Sequence, residues 1–384
     1  MRLGVVGGGQ LGRFFAASAQ RLGHTAIVLD PDPHCPAALV ADGHVCADYD
    51  DDAGLAAFVD ACDAATVEFE NLPAPSLERI AAAVPLRPAP AAVTTVADRR
   101  TEKRLVTGLG LPLPAFDVLE DTADLERLTA PGGLAHAAVV VKTARLGYDG
   151  KGQVRLDAPA GPDTARTALA AAWDALGRVP CTVEHLVPLE RELSIVLARD
   201  VEGATVAFSP TVNVHVDGIL DTSVVAPDDA LTAAARTAAV RIAHGIDHVG
   251  VLAVECFVVG GELLINEVAP RPHNSGHWTL DGATSSQFDL QAHVLTGAPL
   301  AALPPDALAP TRAGIAMANL LGDLWAAGEP RFELVDDVPG ATLHLYGKRD
   351  ARPGRKMGHL TVLRDDASEA LEVVRLLRER LVEG

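Results

Sequence analysis

Residue order predicts an α/β chain of several domains, and three observations carry that reading. The opening 30 residues run strand, glycine turn, helix and strand, the start of a parallel sheet. A length of 384 residues exceeds what one core ordinarily organises, so roughly two to four domains are expected. Near residue 260 two apolar, β-rich runs flank a Gly260-Gly261 turn, and each carries one carboxylate, Glu255 and Glu267. Apolar strands rarely hold acids, because an unpaired buried charge is costly. Two on adjacent strands invite a cation between them.

Bulk properties exclude several function classes. The formal net charge is −19, against a general nucleic-acid binder, whose affinity rests on basic residues. No apolar run reaches the roughly 18–20 residues of a membrane span. The N-terminus enters a strand at once, leaving no room for a signal peptide. Five scattered cysteines without a CxxC pair read as reduced thiols, so a cytoplasmic protein is expected. Lysine occurs only at 103, 142, 151, 348 and 356, and a lysine kept among many arginines suits a compact point charge.

Taken in order, residues 2–6 form a strand. Gly7-Gly8-Gly9-Gln10-Leu11-Gly12 turns into a helix, and a strand over 25–29 ends at Asp30. The glycine turn suits a phosphate and the acid suits a ribose hydroxyl, so a dinucleotide-binding domain is one reading and a structural turn another. Residues 66–69 read as a strand followed by Glu70 and Asn71, at the end where open α/β sheets bind ligands. Residues 85–92 read as a linker, and a helix starts near 97.

Residues 139–142 form a buried-type strand ending on Lys142, and glycines 147, 150 and 152 then precede a strand over 154–156. That spacing is not a P-loop, but it describes a mobile loop able to lie against phosphates through its N–H groups. A strand over 181–187 passes through Glu184, His185, Leu186 and Val187, where a backbone hinge would meet an adenine edge. Glu192, in the next strand, would accept from ribose hydroxyls. Strands over 208–216 and 222–225 surround His215, and helices are expected over 228–244 and 285–295. A proline-punctuated linker follows at 298–309, then a small unit with strands near 314–319, 341–346 and 360–362 and a closing helix over 367–382. Within it, Lys348, Arg349, Arg352, Arg355 and Lys356 form a basic island in an acidic chain, suited to a ligand phosphate.

Register decides whether the hairpin acids share an ion, because a one-residue slip sends one of them to the opposite face. A two-residue turn at Gly260-Gly261 would separate them. A three-residue loop over 260–262, or a five-residue loop centred on Gly261, sets Glu255 across from Glu267, and this is the expected register. Magnesium, or manganese in its place, suits two carboxylates plus substrate phosphates. Asn266 would need an extra bend to join them on that face.

These motifs resemble the ATP-grasp superfamily and, within it, the 5-(carboxyamino)imidazole ribonucleotide synthetase family, biotin-independent carboxylating ligases of purine synthesis. The runs at 7–13, 147–153, 266–279 and 347–359 carry the resemblance in order and spacing. Leu146 stands where that family usually has glycine, and Thr143 and Ala144 replace residues that are often basic or polar. The resemblance implies three domains: an N-terminal Rossmann-like α/β domain (1–97), an ATP-grasp α+β module (98–298, with a lid over about 115–180) and a small C-terminal β-rich domain (299–384). It also implies a homodimer. ATP, magnesium and bicarbonate would form carboxyphosphate, which carboxylates 5-aminoimidazole ribonucleotide. Carried over by position, Arg99, Lys142, Gly147, Tyr148, Asp149, Gly150, Lys151, Gly152, Gln153, Glu184 to Val187, Glu192, His215, Asn266 and Glu267 would contact ATP. Glu255 and Glu267 would hold the metal. Gly9, Gln10, Leu11, Lys348 and Arg355 would meet the ribonucleotide phosphate. Glu70, Asn71, Arg271, His273, Asn274 and Ser275 would surround imidazole and bicarbonate. Lys142, Asp149 and Arg271 would act in catalysis. The alternatives are another ATP-grasp ligase, such as a formate-dependent glycinamide ribonucleotide transformylase or a biotin carboxylase, and a nicotinamide-dependent dehydrogenase.

Overall fold

A computed structural model describes residues 1–147 and 150–382, and Tyr148 and Asp149 lie outside the described residues. The first sheet is parallel, with β1 (Arg2–Val6), β2 (Thr25–Leu29), β3 (Gly43–Val45) and β4 (Ala64–Val67) in the order β3-β2-β1-β4. The order in which strands are added reverses between β1 and β4, the switch point where open α/β sheets gather ligands. The glycine turn after β1 and the acids after β4 therefore meet. The expected strand over 66–69 sits two residues earlier, so Glu68 leaves the ladder and is free to turn toward the glycines.

A second sheet, antiparallel, holds β5 (Phe116–Leu119), β6 (Val139–Thr143), β7 (Gln153–Leu156) and β8 (Cys181–His185) in the order β5-β8-β6-β7. One face packs on the helices Thr122–Thr129 and Pro162–Ala175 through Leu125, Leu128, Leu169 and Trp173. The other face carries Lys142 and Glu184.

The third sheet comprises β9 (Arg191–Arg199), β10 (Thr205–Ala207), β11 (Thr211–Val216), β12 (Ile219–Val225), β13 (Gly250–Val259), β14 (Glu262–Ala269), β15 (Gly314–Leu321), β16 (Ala341–Leu345) and β17 (Lys356–Arg364). Its path is β14-β13-β9-β11-β12-β15-β17-β16, with β10 against β9. The last three strands thus continue the central sheet. The strand expected over 360–362 runs longer and takes Lys356 and His359 into the ladder.

Strand β9 is buried on both faces. Leu193, Ile195 and Leu197 pack on the helix Ala230–Gly245, while Val196 and Ala198 pack toward Trp278 and Leu290. Each fully buried aliphatic contributes about 1.5–3 kcal/mol. The helix Gln287–Leu295 is buried all round because it joins two cores: Phe288, Ala292 and Leu295 face the helix Gln10–Arg21, and Leu290 and Val294 face β9 and β13. Its buried polar side chains are paired, Gln291 with Thr66 of β4 at 2.7 Å and Gln287 with the His273 carbonyl at 2.7 Å, and the helix fixes the N-terminal sheet against the central sheet.

Candidate active site

The carboxylate hairpin has the expected pairing by a different route. Gly260 and Gly261 form a two-residue turn with φ of 59° and 75°, the left-handed pair that a tight hairpin turn needs. Pairing proceeds from Val259–Glu262 through Cys256–Ile265, a register that would place the acids on opposite faces. A β-bulge then shifts the ladder by one residue, and Glu255 stands across from Glu267. The expected larger loop is therefore corrected to a tight turn plus a bulge. The extra residue is Asn266, whose Oδ1 comes 3.4 Å from Lys142 Nζ. Bulges re-aim side chains next to active sites, and this one turns Asn266 and Glu267 toward the same cleft.

Two lysines share one acid above the hairpin. Lys142 Nζ and Lys103 Nζ each lie 3.0 Å from Glu184 Oε2, and Thr182 donates to Oε1 at 3.0 Å. Burial alone would push the Glu184 carboxyl up, but Lys142, Lys103 and Arg99 prevail and hold it at about 2. Burial lowers the Lys142 ammonium, with Glu184 opposing. Arg99, at the start of the helix Arg99–Gly108, reaches Glu267 at 3.2 Å and the Gly147 carbonyl of the lid at 3.4 Å. Glu267 is held below the usual carboxylate range, because Arg99 and Lys142 outweigh burial, and 40% of its side chain remains open to the cleft. Glu255 fares differently. Burial pushes it up to about 7; His215 opposes this, while Glu267 adds to it. Glu102, one residue before Lys103, accepts the Val268 N–H at 2.5 Å and is pushed up to about 8 by burial and Glu267.

Glu192 meets His215 Nδ1 at 2.5 Å, and His273 Nε2 lies 3.4 Å from Glu255. The N-terminal sheet supplies Glu70, which grips Arg271 at 2.7 and 3.5 Å in a two-point contact. Asn71 accepts the Leu146 N–H at 3.3 Å, tying that sheet to the lid. Glu70, Asn71, Arg99, Arg145, Leu146, Gly147 and Glu267 line one cleft. The lid also rests on the β11–β12 turn: a Cβ on Gly150 would lie 2.5 Å from the Asp217 carbonyl, so only glycine allows the approach. Leu146 adopts φ 64°, a conformation that suits glycine better than leucine.

Several expected contacts are already committed elsewhere. Glu68 accepts the N–H groups of Gly9 at 2.5 Å and Leu11 at 3.0 Å, so a protein carboxylate fills the place expected for the ribonucleotide phosphate. Asp30 accepts from Gly8 N–H at 2.7 Å, Asp32 N–H at 2.8 Å and Tyr49 Oη at 2.7 Å, which removes it as a ribose acceptor. In the hinge, His185 and Leu186 donate their N–H groups to the Ala115 and Ala138 carbonyls. Asn274 exchanges two hydrogen bonds with Asn319, at 3.1 and 2.7 Å, and Ser275 is fully buried with its Oγ 2.9 Å from His273 Nδ1, so both support the loop from behind. Lys348 donates to the Lys356 carbonyl at 2.8 Å, and Arg355 to the Asp350 carbonyl at 3.0 Å. Sequence reasoning assigned no role to Lys103, Glu102 or Glu68. For Lys103 the scarcity of lysine was the available signal; for Glu102 and Glu68 there was none, since exposed acids flank many strands and helices.

A glycine-rich loop over an antiparallel sheet, opposed to a sheet with a paired-acid hairpin, defines an ATP-grasp protein, and an ATP-grasp domain model matches residues 104–288. A ribonucleotide synthetase preATP-grasp domain matches residues 1–97, and a phosphoribosylaminoimidazole carboxylase C-terminal domain matches 315–373. The chain is 41% identical over 368 residues to N5-carboxyaminoimidazole ribonucleotide synthase of Brucella melitensis, covering 94% of this chain and 95% of that one. The N5-carboxyaminoimidazole ribonucleotide synthetase structure from Thermus thermophilus superposes with a TM-score of 0.86 at 38% identity, over 100% of this chain and 99% of that one. N5-carboxyaminoimidazole synthase from Aspergillus clavatus, solved in complex with ADP and 5-aminoimidazole ribonucleotide, superposes with a TM-score of 0.86 at 26% identity, over 100% and 99%. The chain belongs to the N5-carboxyaminoimidazole ribonucleotide synthase family.

Proposed function

We propose that the chain carries out the reaction for which its family is named: carboxylation of 5-aminoimidazole ribonucleotide to the N5-carboxyamino product. ATP and bicarbonate are consumed, ADP and phosphate are released, and the reaction serves purine biosynthesis. The observation that carries this reading is the single cleft joining Glu70 and Asn71 of the first sheet, the lid and Glu267. A dehydrogenase would need the glycine turn and Asp30, and their polar groups are internally satisfied.

Glu255 and Glu267 fit a divalent cation, because two acids facing across strands, one pushed up to about 7, gain from a charge between them. Magnesium bound there, or manganese, would neutralise phosphate charge during transfer. Lys142, kept aimed by Glu184, meets the phosphates from the lid side, and Arg99 holds Glu267 and the lid together. Glu192 and His215 face the ribose, and Val187 supplies the hinge N–H to adenine, its two predecessors being engaged. The glycines at 147, 150 and 152 let the lid close over the phosphates with Lys151 and Gln153.

Bicarbonate is a poor electrophile, and phosphorylating it creates a leaving group. The resulting carboxyphosphate is labile in water, so lid closure precedes transfer. Arg271, preset by Glu70, steadies the carboxyphosphate, with His273 beside it. Asp149 orients or deprotonates the ribonucleotide amine. Lys348 and Arg355 take the ribonucleotide phosphate; Gln10 approaches from the glycine turn. The active form is a homodimer and needs no biotin.

The test is ADP release by the full chain with and without the ribonucleotide and bicarbonate. Release that requires both supports the proposal. Release independent of the ribonucleotide, or turnover of NAD(H), overturns it.

A further inference from the structure

Outside the nucleotide cleft, the short helix Thr279–Gly282 brings Asp281 against the cross-strand pair His344 and His359 of β16 and β17. One ligand atom from each of the three lies within 4.8 Å of the others. Both Asp281 oxygens stand 3.0 Å from His344 Nε2. His359 is fully buried, with Nδ1 3.0 Å from Tyr346 Oη and with Nε2 lacking any hydrogen-bond partner. His277 packs beside it with ring centroids 5.0 Å apart, and its Nε2 also lacks a partner. Buried imidazole nitrogens ordinarily find a donor or acceptor, so the orphaned His359 Nε2 beside an acid and a second imidazole asks for a ligand.

We propose that Asp281, His344 and His359 form a second metal site, separate from the carboxylate hairpin, that takes a dication of the zinc class. Two imidazoles and one carboxylate suit zinc or cobalt, whereas magnesium prefers an all-oxygen shell with retained water. Tyr346 is the outer partner such sites use. With His359 in its Nδ1–H tautomer, Tyr346 Oη, 3.0 Å away, accepts that hydrogen and the Nε2 lone pair is left for the ion. Entry is from the His344 side, where that side chain is 23% exposed and Asp281 13%. The two histidine rings lie 4.7 Å apart and within 19° of parallel, so binding turns the more exposed His344 ring to converge on the ion. The bound ion would pin the segment after the hairpin to the two C-terminal strands, clamping the central module to the end of the chain.

The test uses the full chain with magnesium in excess, titrated with Co2+ alone and followed by visible d–d absorption, then back-titrated with Zn2+. One Co2+ per chain with low-coordinate absorption, displaced by Zn2+, is expected. His344→Ala and Asp281→Asn should each weaken binding at least about tenfold, and Tyr346→Phe about tenfold through the outer shell. Circular dichroism verifies that each variant is folded, and Asp281→Asn decides the matter if His344→Ala is not. Glu267→Gln should leave Co2+ binding unchanged, separating this site from the nucleotide metal. Absence of the absorption in the wild type, binding untouched in folded His344→Ala and Asp281→Asn, or binding lost in Glu267→Gln alone would each overturn the proposal.

Discussion

Two glycine-rich stretches, residues 7–12 and 147–152, have similar composition and opposite fates. In the first, backbone N–H groups at the start of a helix point at protein carboxylates: Gly8 at Asp30, Gly9 and Leu11 at Glu68. The anion site is filled from within, and its donors serve architecture. In the second, the glycines follow a strand rather than precede a helix, and the nearby carboxylates pair instead with Lys142, Lys103 and Arg99. On the proposed reading this leaves the lid backbone to the ATP phosphates. A glycine loop therefore reports a capacity to bind phosphate, and the acids that fold beside it decide whether the capacity is available.

The comparison breaks most sharply at Lys142. Lys142→Met should lower ribonucleotide-dependent ADP release about 10²–10³-fold, the loss typical of one preorganised charge in a phosphoryl-transfer site. Thermal stability should change little, since Glu184 retains Lys103. If Lys142→Met turns over at the wild-type rate, the lid is not the phosphate site.

On the hairpin the effect appears as a pH dependence of metal stabilisation. Glu255 titrates near 7 in the fold against an unfolded value of 4.5, so the folded state binds the proton more tightly. Its contribution is full below 4.5 and is lost as pH rises through 7, on the order of 3 kcal/mol. Magnesium bound between Glu255 and Glu267, as proposed, would relieve that penalty. The shift in unfolding midpoint caused by magnesium should therefore be larger at pH 8 than at pH 5.5, measured by thermal scans. An equal shift at both pH values refutes the cation reading of Glu255.

At the first glycine stretch, Glu68→Gln should cost about 1–3 kcal/mol of stability, from weaker and partly lost hydrogen bonds to Gly9 and Leu11. Its effect on kcat should stay within a few-fold. A stable Glu68→Gln protein without activity would move this stretch into the reacting site and erase the contrast. Gly150→Ala places a Cβ 2.5 Å from the Asp217 carbonyl, and should raise KM for ATP about tenfold by holding the lid off the β11–β12 turn. The smallest effect belongs to Leu146→Gly. It relieves about 1–2 kcal/mol of left-handed strain against about 0.5–1 kcal/mol of added chain entropy. Stability should thus change by no more than about 1.5 kcal/mol, and limited proteolysis of the lid should be little altered.

The residue order by itself determined the parallel opening, the lid between two strands, the apolar hairpin and its two acids, because strand periodicity and glycine turns are local properties. It also carried the family resemblance through four motifs. The tertiary structure decided what those groups do to one another. Nothing local announces that the bulge at Asn266, not the turn, sets Glu255 against Glu267, because a bulge depends on the strand next door. Nor does it announce that Lys103, near the start of a helix, shares Glu184 with a lysine 39 positions further along. Glu68 stands 59 residues from the glycine whose N–H it accepts. Chain folding brings such charges together over distances that no sequence window spans. Once they are out of water, pairing decides which remain charged and which stay available to a ligand.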